Sequence, residues 1–271
     1  MQKTVIQVLT HKVCNLQTTN KDNFWGLGDI IRGTVKLYHL SKIMGFRLIV
    51  DIQLHPISQF LQIRQHEYSD LIQQNKDNIE FVFPNTVEKH ILSSNKEVIY
   101  FLTNDLFAGE VTQDCKEFIK HLFIPNKEFQ QYIDAKLYEI PNIHYNILHV
   151  RTGDGEMLNS QIPHSILKMI DYISPFIEEN DIIISDSYLL KQLINKKRAL
   201  TNLPPIFHFD TKPVHMGYNK DTDGLRDTLF EYFLLTKSQK IKTFSVYDWV
   251  SGFASWASRI YDIQLTNIKT F

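Results

Sequence analysis

Asn146-Ile-Leu-His-Val-Arg-Thr-Gly-Asp-Gly-Glu156 is the stretch that decides how this chain is read. Ile147, Leu148 and Val150 make a short apolar run of the kind that fills a buried strand. The run stops at Arg151, then Gly153, the carboxylate of Asp154 and a second glycine, Gly155. A strand ending in an arginine and a glycine turn sets a cation at the carboxyl edge of a sheet, where open α/β sheets bind ligands. A guanidinium suits a phosphate there, because its planar fork donates two parallel charge-assisted hydrogen bonds. The plainer alternative is an arginine paired to Asp154 in an ordinary turn. The motif alone leaves both open.

The surrounding chain repeats one pattern on both sides of this stretch. Thr4 to Leu9 reads as a strand. After a polar loop come Gly26 and Gly28, with Asp29 as an N-cap, and a helix running to Met44 that Gly45 stops. Arg47 to Ile52 is the next strand, which completes a β-α-β unit. One or two short helices are expected between Ile57 and Gln74. Strands are expected at Ile79–Phe83 and Glu97–Leu102, and helices at Val111–Phe123 and Lys127–Tyr138.

A break at Pro141, Asn142 and Ile143 divides the chain into domains 1–142 and 143–271. The second restarts with the strand Tyr145–Val150. A helix from Pro163 to Ile177 follows, then the strand Asp181–Ser185 and a helix Tyr188–Lys196 capped by Ser187. A short strand Pro205–Phe209, a polar loop Asp210–Asp223 and a helix Gly224–Ser238 come next. A strand Lys240–Ser245 and a helix Ser251–Tyr261 close the pattern. Strands alternating with helices imply parallel sheets, hence an α/β protein of two Rossmann-like domains.

Composition removes several classes of function. With 29 Lys and Arg against 30 Asp and Glu, the net charge is −1, which carries no footprint for nucleic acid. Cys14 and Cys115 are the only cysteines, so neither a disulfide framework nor a zinc site is expected. The apolar run within Met1–Thr10 is too short for a signal peptide, and no run approaches a membrane span. No Asn-x-Ser/Thr sequon occurs. These features together read as a soluble, cytoplasmic chain.

The candidate sites are few. Gly26-x-Gly28 lacks the third glycine of a dinucleotide fingerprint, since Ile31 stands there, and no Gly-Lys-Ser/Thr follows for a phosphate loop. Arg32, one turn into the helix, faces either a ligand or solvent. Asp221-Thr-Asp223 has the D-x-D pattern of metal-dependent sugar-nucleotide enzymes. The polar Gly217-Tyr-Asn-Lys220 before it points instead to a solvated loop. Zinc-binding histidine pairs and a G-x-S-x-G elbow are both absent. Asp186, at a strand end on the edge of Arg151, either contacts a nucleoside, orients Arg151 or helps Ser187 cap its helix. Glu231 lies in the apolar helix Leu229-Phe-Glu-Tyr-Phe-Leu-Leu235, where it either needs a partner, with Arg151 an attractive one, or sits on the helix's wet side.

Taken together these pieces resemble the fucosyltransferase-like GT-B glycosyltransferases. His149-Val-Arg151-Thr-Gly153-Asp154 matches their H-x-R-x-G-D at each fixed position, and Gly155-Glu156 continues as in the rhizobial nodulation α1,6-fucosyltransferases. Gly26-Leu-Gly28-Asp29 is similar to their N-terminal glycine loop, where the bacterial α1,2-fucosyltransferases have Asn in place of Asp29. Glu231-Tyr-Phe-Leu-Leu235 followed by Ser251-Gly-Phe253-Ala-Ser-Trp-Ala257 resembles their C-terminal acidic helix and S-x-F-x-x-x-A. The spacing is a few residues long, so Ser245 rivals Ser251. Ser245-Val-Tyr247-Asp-Trp249 also resembles a Ser-x-Tyr-x-Trp block of the α1,2 branch.

The resemblance implies a GT-B fold, two Rossmann-like domains facing an interdomain cleft, with acceptor bound by the first and nucleotide sugar by the second. It implies inverting, metal-independent transfer, most simply of fucose from GDP-fucose to a glycan hydroxyl. Another nucleotide sugar such as UDP-xylose, or a non-catalytic binding relative, is the alternative. Arg151 would meet the charge growing on the departing β-phosphate. His149, Gly153, Asp154, Asp186, Glu231, Phe253 and Ser245 or Ser251 would hold the donor. Gly26, Gly28 and Arg32 would approach from the other domain. The resemblance identifies no base: Asp29 and Asp51 are candidates from position only, and the departing diphosphate is the alternative.

Overall fold

The computed structural model describes residues 2–10, 12–16, 26–153, 164–216 and 221–268. These fall into two compact units, one of residues 1–129 with 216–220 and one of 130–215 with 221–271. The division falls at residue 129/130, earlier than the break at Pro141. Just past it, Tyr132 donates its hydroxyl to Asp227 at 2.9 Å and sets its ring edge-on to Phe230. These contacts tie that stretch to the second unit ahead of the proline.

The first unit is built on three parallel strands in the order β2-β1-β3: β1 Thr4–Val8, β2 Arg47–Asp51 and β3 Val98–Phe101. Helix α1, Leu27–Met44, follows β1. Short helices α2, Ser69–Gln74, and α3, Val87–Ser93, lie between β2 and β3, and α4, Gln113–Leu122, comes after. Val5, Ile99 and Phe101 of the sheet form one core with Leu37 and Leu40 of α1 and with Val87 and Ile91 of α3. Helix α1 crosses the sheet so closely that a Cβ on Gly33 would stand 1.9 Å from the Thr103 carbonyl oxygen.

The second unit has four parallel strands in the order β5-β4-β6-β7: β4 Asn146–Arg151, β5 Asp181–Ser185, β6 Lys240–Ser245 and β7 Gln264–Asn267. Its helices are α6 His164–Ile173, α7 Tyr188–Leu200, α8 Thr222–Lys237 and α9 Gly252–Tyr261, with α5, Lys127–Tyr138, running across the division. Successive side chains of a strand point to opposite faces. Leu148 and Val150 accordingly pack with Ile166, Ile170, Leu190 and Ile194 of α6 and α7. Ile147, His149 and Arg151 belong to the opposite face, and there the His149 ring meets Phe253 of α9.

Some local expectations need correction. Ile79–Phe83 contributes one parallel bridge, Phe81 to Leu102, because Pro84 has no N–H to carry the ladder on. Pro205–Phe209 likewise yields the single bridge Phe207 to Ile182, behind Pro204 and Pro205. Strand β7 goes beyond the expected pattern, since Gln264-Leu-Thr-Asn267 offers one apolar residue in four. Gly26, not Asp29, caps α1, and Asp29 lies in its first turn. Asp221 is no loop carboxylate: it caps α8, accepting from the N–H groups of Asp223 and Gly224 at 3.2 Å each. Asp223 pairs with Arg226 three residues on.

Candidate active site

In each sheet the first strand is central, and the chain adds the next two strands on opposite sides. The direction of winding therefore reverses beside the central strand, and the carboxyl ends at such a reversal form the crevice where open α/β sheets take ligands. In the second unit that point lies between β4 and β6, where Arg151 stands opposite Ser245 in register.

Asp186, just past β5, organises this edge. One carboxylate oxygen accepts from Arg151 Nη1 at 2.7 Å and from the Gly153 N–H at 3.2 Å. The other accepts from the N–H and the hydroxyl of Thr152, each at 2.7 Å. Asp186 is thus bonded to Arg151 and to the turn that follows it, while Ser187 caps α7 by accepting from the Leu190 N–H. Gly153 has φ of +104°, and a Cβ there would come within 3.1 Å of Val246 and 3.4 Å of the Tyr247 hydroxyl. The backbone angle favours glycine, and a side chain there would also press on Val246. Asp154, together with Gly155 and Glu156, lies outside the described residues.

His149 is buried in the sheet. Its Nδ1 is 3.0 Å from the Thr243 hydroxyl, and its ring stacks on Phe253 at 5.9 Å. Burial, with the nearby Arg151 charge, pushes its pKa down to about 3. The imidazole is thus neutral at physiological pH. Ser245 is buried and accepts from the Tyr247 N–H at 3.2 Å. Ser251 is buried at the start of α9, with no hydrogen bond from its side chain to the helix it precedes.

Glu231 does not pair with Arg151. Its partner is Lys191 of α7, whose ammonium gives one hydrogen bond to Glu231 at 3.0 Å and two to Thr211, at 2.6 and 2.7 Å. The Thr211 hydroxyl donates to the same Glu231 oxygen at 2.6 Å. Lys191 is wholly buried, and burial raises the Glu231 pKa. The signal for Lys191 was present, because Lys191, Ile194 and Arg198 share one buried helical stripe. Thr211, in an irregular segment, carried none.

The equivalent edge of the first unit gathers Arg32, Asp29 and Asn104. Arg32 is partly exposed yet held on both sides: its Nε donates to the Asn104 carbonyl at 2.6 Å, and it pairs with Asp29 at 2.9 Å. Gly28 is buried in the first turn of α1. Asp51, the other carboxylate considered as a base, is buried and already engaged. It accepts from the Gln53 N–H and carboxamide at 3.0 and 2.9 Å and from His66 Nε2 at 2.7 Å. His66 Nδ1 accepts from the Tyr68 N–H, which places the ring proton on Nε2, facing Asp51. Both ring nitrogens are thus committed.

Two parallel sheets, each with a central first strand and a polar carboxyl edge, invite comparison with solved structures. The chain has a fucosyltransferase-like GT-B fold. It matches a NodZ α1,6-fucosyltransferase soaked with GDP-fucose at a TM-score of 0.58 and 15% identity, over 96% of this chain and 93% of that one. The NodZ of Bradyrhizobium matches at 0.56 and 14%, over 95% and 91%. A FUT1 mutant of Arabidopsis thaliana in complex with GDP matches at 0.55 and 10%, over 98% and 70%. No family model matches the chain, and no curated protein matches it significantly in sequence. No helix among the described residues is long and apolar enough to cross a membrane, and no three His, Cys, Asp or Glu side chains there are grouped to hold a metal ion.

Proposed function

We propose that this chain is an inverting, metal-independent glycosyltransferase that moves fucose from GDP-fucose to a hydroxyl of a glycan. The observation that carries the reading is Arg151, held by Asp186 at the winding reversal of the second sheet. It stands in a fold shared with fucosyltransferases solved with GDP or GDP-fucose.

As the bond from sugar to diphosphate breaks, negative charge builds on the leaving phosphate. A guanidinium already oriented by a carboxylate stabilises that charge without reorganising at the moment of reaction. The N–H groups of Thr152 and Gly153 are tied to the same carboxylate, so the whole turn is set before substrate arrives. In this reading the second unit is the donor domain. His149, Gly153, Asp154, Phe253 and one of Ser245 and Ser251 line the nucleotide's place. Asp186 serves through Arg151, and Glu231 serves through its pairing with Lys191. The first unit takes the acceptor, with Gly26, Gly28 and Arg32 at its edge. Asp29, paired with Arg32 but 38% exposed in the first turn of α1, is the base in preference to the buried Asp51.

A panel of nucleotide sugars and free nucleotides tests this by thermal shift. A ligand that binds only the folded state at a hundred times its Kd stabilises it by about 2.7 kcal/mol. GDP-fucose and GDP should raise the melting temperature, and GDP release should follow once a glycan acceptor is added. A rise confined to a uridine sugar would redirect the donor assignment, and no response to any nucleotide would end it.

A further inference from the structure

The segment between β6 and α9 carries a feature that the diphosphate site does not use. Tyr247 and Trp249 stack face to face, with centroids 4.8 Å apart and planes within 3° of parallel. Tyr247 is anchored at the winding reversal. Its N–H reaches the Ser245 hydroxyl, the Val246 N–H before it binds the Arg151 carbonyl at 3.1 Å, and its phenol packs where a Cβ of Gly153 would stand. Trp249 continues the stack outward and is 63% exposed. An indole left that open in water has a reason to be there when its free face receives a ring. Among the described residues of this unit, the other largely exposed aromatic rings are Tyr138, Tyr172 and Phe176, all on helices. Tyr188, which follows β5, is already covered by the Lys212 ammonium at 5.0 Å.

We infer that Trp249 is the platform on which the nucleobase of the donor stacks, extending the Tyr247–Trp249 pair by a third ring. The inference rests on the nucleotide-sugar reading and names a binding element of that site. A base is joined to its diphosphate through one ribose, so fixing the diphosphate at Arg151 confines the base to the neighbouring loops of the same unit. Tyr247 packs beside Gly153, two residues beyond Arg151, and Trp249 stacks on Tyr247. An acceptor sugar has no such tether, and no observation brings it to this loop. A π-face receives any base, so the platform supplies affinity and leaves the choice of base to polar groups.

The test compares Trp249→Ala and Trp249→Phe with the wild-type chain by calorimetric titration of GDP and, separately, of inorganic pyrophosphate. Base–aromatic stacking is of a size that makes Trp249→Ala raise the Kd for GDP about 10- to 100-fold. Trp249→Phe should recover most of that loss, and pyrophosphate affinity should not move. Quenching of tryptophan emission by GDP should shrink in both variants. Unchanged GDP affinity in Trp249→Ala, an equal loss for pyrophosphate, or a rise only in acceptor KM would overturn the platform and leave the nucleotide reading standing. A wild-type chain that binds no nucleoside diphosphate would sink both. Because the side chain is largely exposed, its truncation should leave the melting temperature unchanged, which separates lost binding from lost folding.

Discussion

The two sheets share one winding, yet their carboxyl edges are finished differently. In the first unit, α1 presses Gly33 against the Thr103 carbonyl, Arg32 folds onto the Asn104 carbonyl and Asp29, and Asp51 is enclosed by Gln53 and His66. In the second unit a single carboxylate, Asp186, gathers a guanidinium, two backbone N–H groups and a hydroxyl into one preset turn. The first edge joins its charges to backbone and to helix ends. The second presets a cation at a glycine turn. Topology therefore provides the place for a ligand, and the local hydrogen-bond bookkeeping decides which kind of ligand it suits.

The largest effect should come from exchanging the two arginines' fates. Arg151→Ala should lower transfer by about 10²- to 10³-fold with the fold intact, judged by the loss of a preorganised donor to transition-state charge. Arg32→Ala should cost roughly tenfold at most, as expected of a residue that only positions groups. Initial-rate assays of both variants decide it, and equal losses would erase the distinction between the edges.

Next is the buried pair behind the second edge. Lys191→Met leaves the Glu231 carboxylate buried without its cation, and breaking such a pair destabilises by about 3–5 kcal/mol. The sign with pH follows from Glu231. Burial raises its folded pKa, and loss of the lysine raises it further. A raised folded value gives stability below the unfolded pKa that is lost as pH rises through the folded one. The deficit of Lys191→Met relative to wild type should therefore shrink toward pH 4 and grow toward pH 7 in denaturant melts. A deficit independent of pH would show that packing, not charge, holds the pair.

The smallest of the three is specific to the first edge. Gly33→Ala drives a methyl group into a backbone carbonyl, an overpacking defect of about 1–3 kcal/mol. Hydrogen exchange should report it in β1, β3 and α1 and leave β4 to β6 unaffected. Uniform loosening across both units would mean that the two edges are not independently built.

Much of this architecture was legible from residues alone. Apolar strands alternating with helices gave the parallel α/β class, and Arg151, Gly153 and Asp186 were marked because each stands where a buried strand ends. Other features resisted for physical reasons. Strand β7 is made by pairing with β6, which leaves no periodicity of its own, and the strands expected at Ile79–Phe83 and Pro205–Phe209 shrink to single bridges because prolines border them. Asp221 reads as a loop carboxylate from sequence because an N-cap stands just outside the apolar periodicity of its helix.

The sequence by itself determined the class of fold, the strand-end arginine and the glycine that a φ of +104° favours, since these depend on chain-local chemistry. Only the tertiary structure decided the partners. Glu231 found Lys191 rather than Arg151, Asp51 was taken by His66, and Tyr247 and Trp249 came to lie face to face beside Gly153. Most of those pairings join residues far apart in the chain, and a buried charge takes whichever partner the packing of helices on the sheet brings within hydrogen-bond reach.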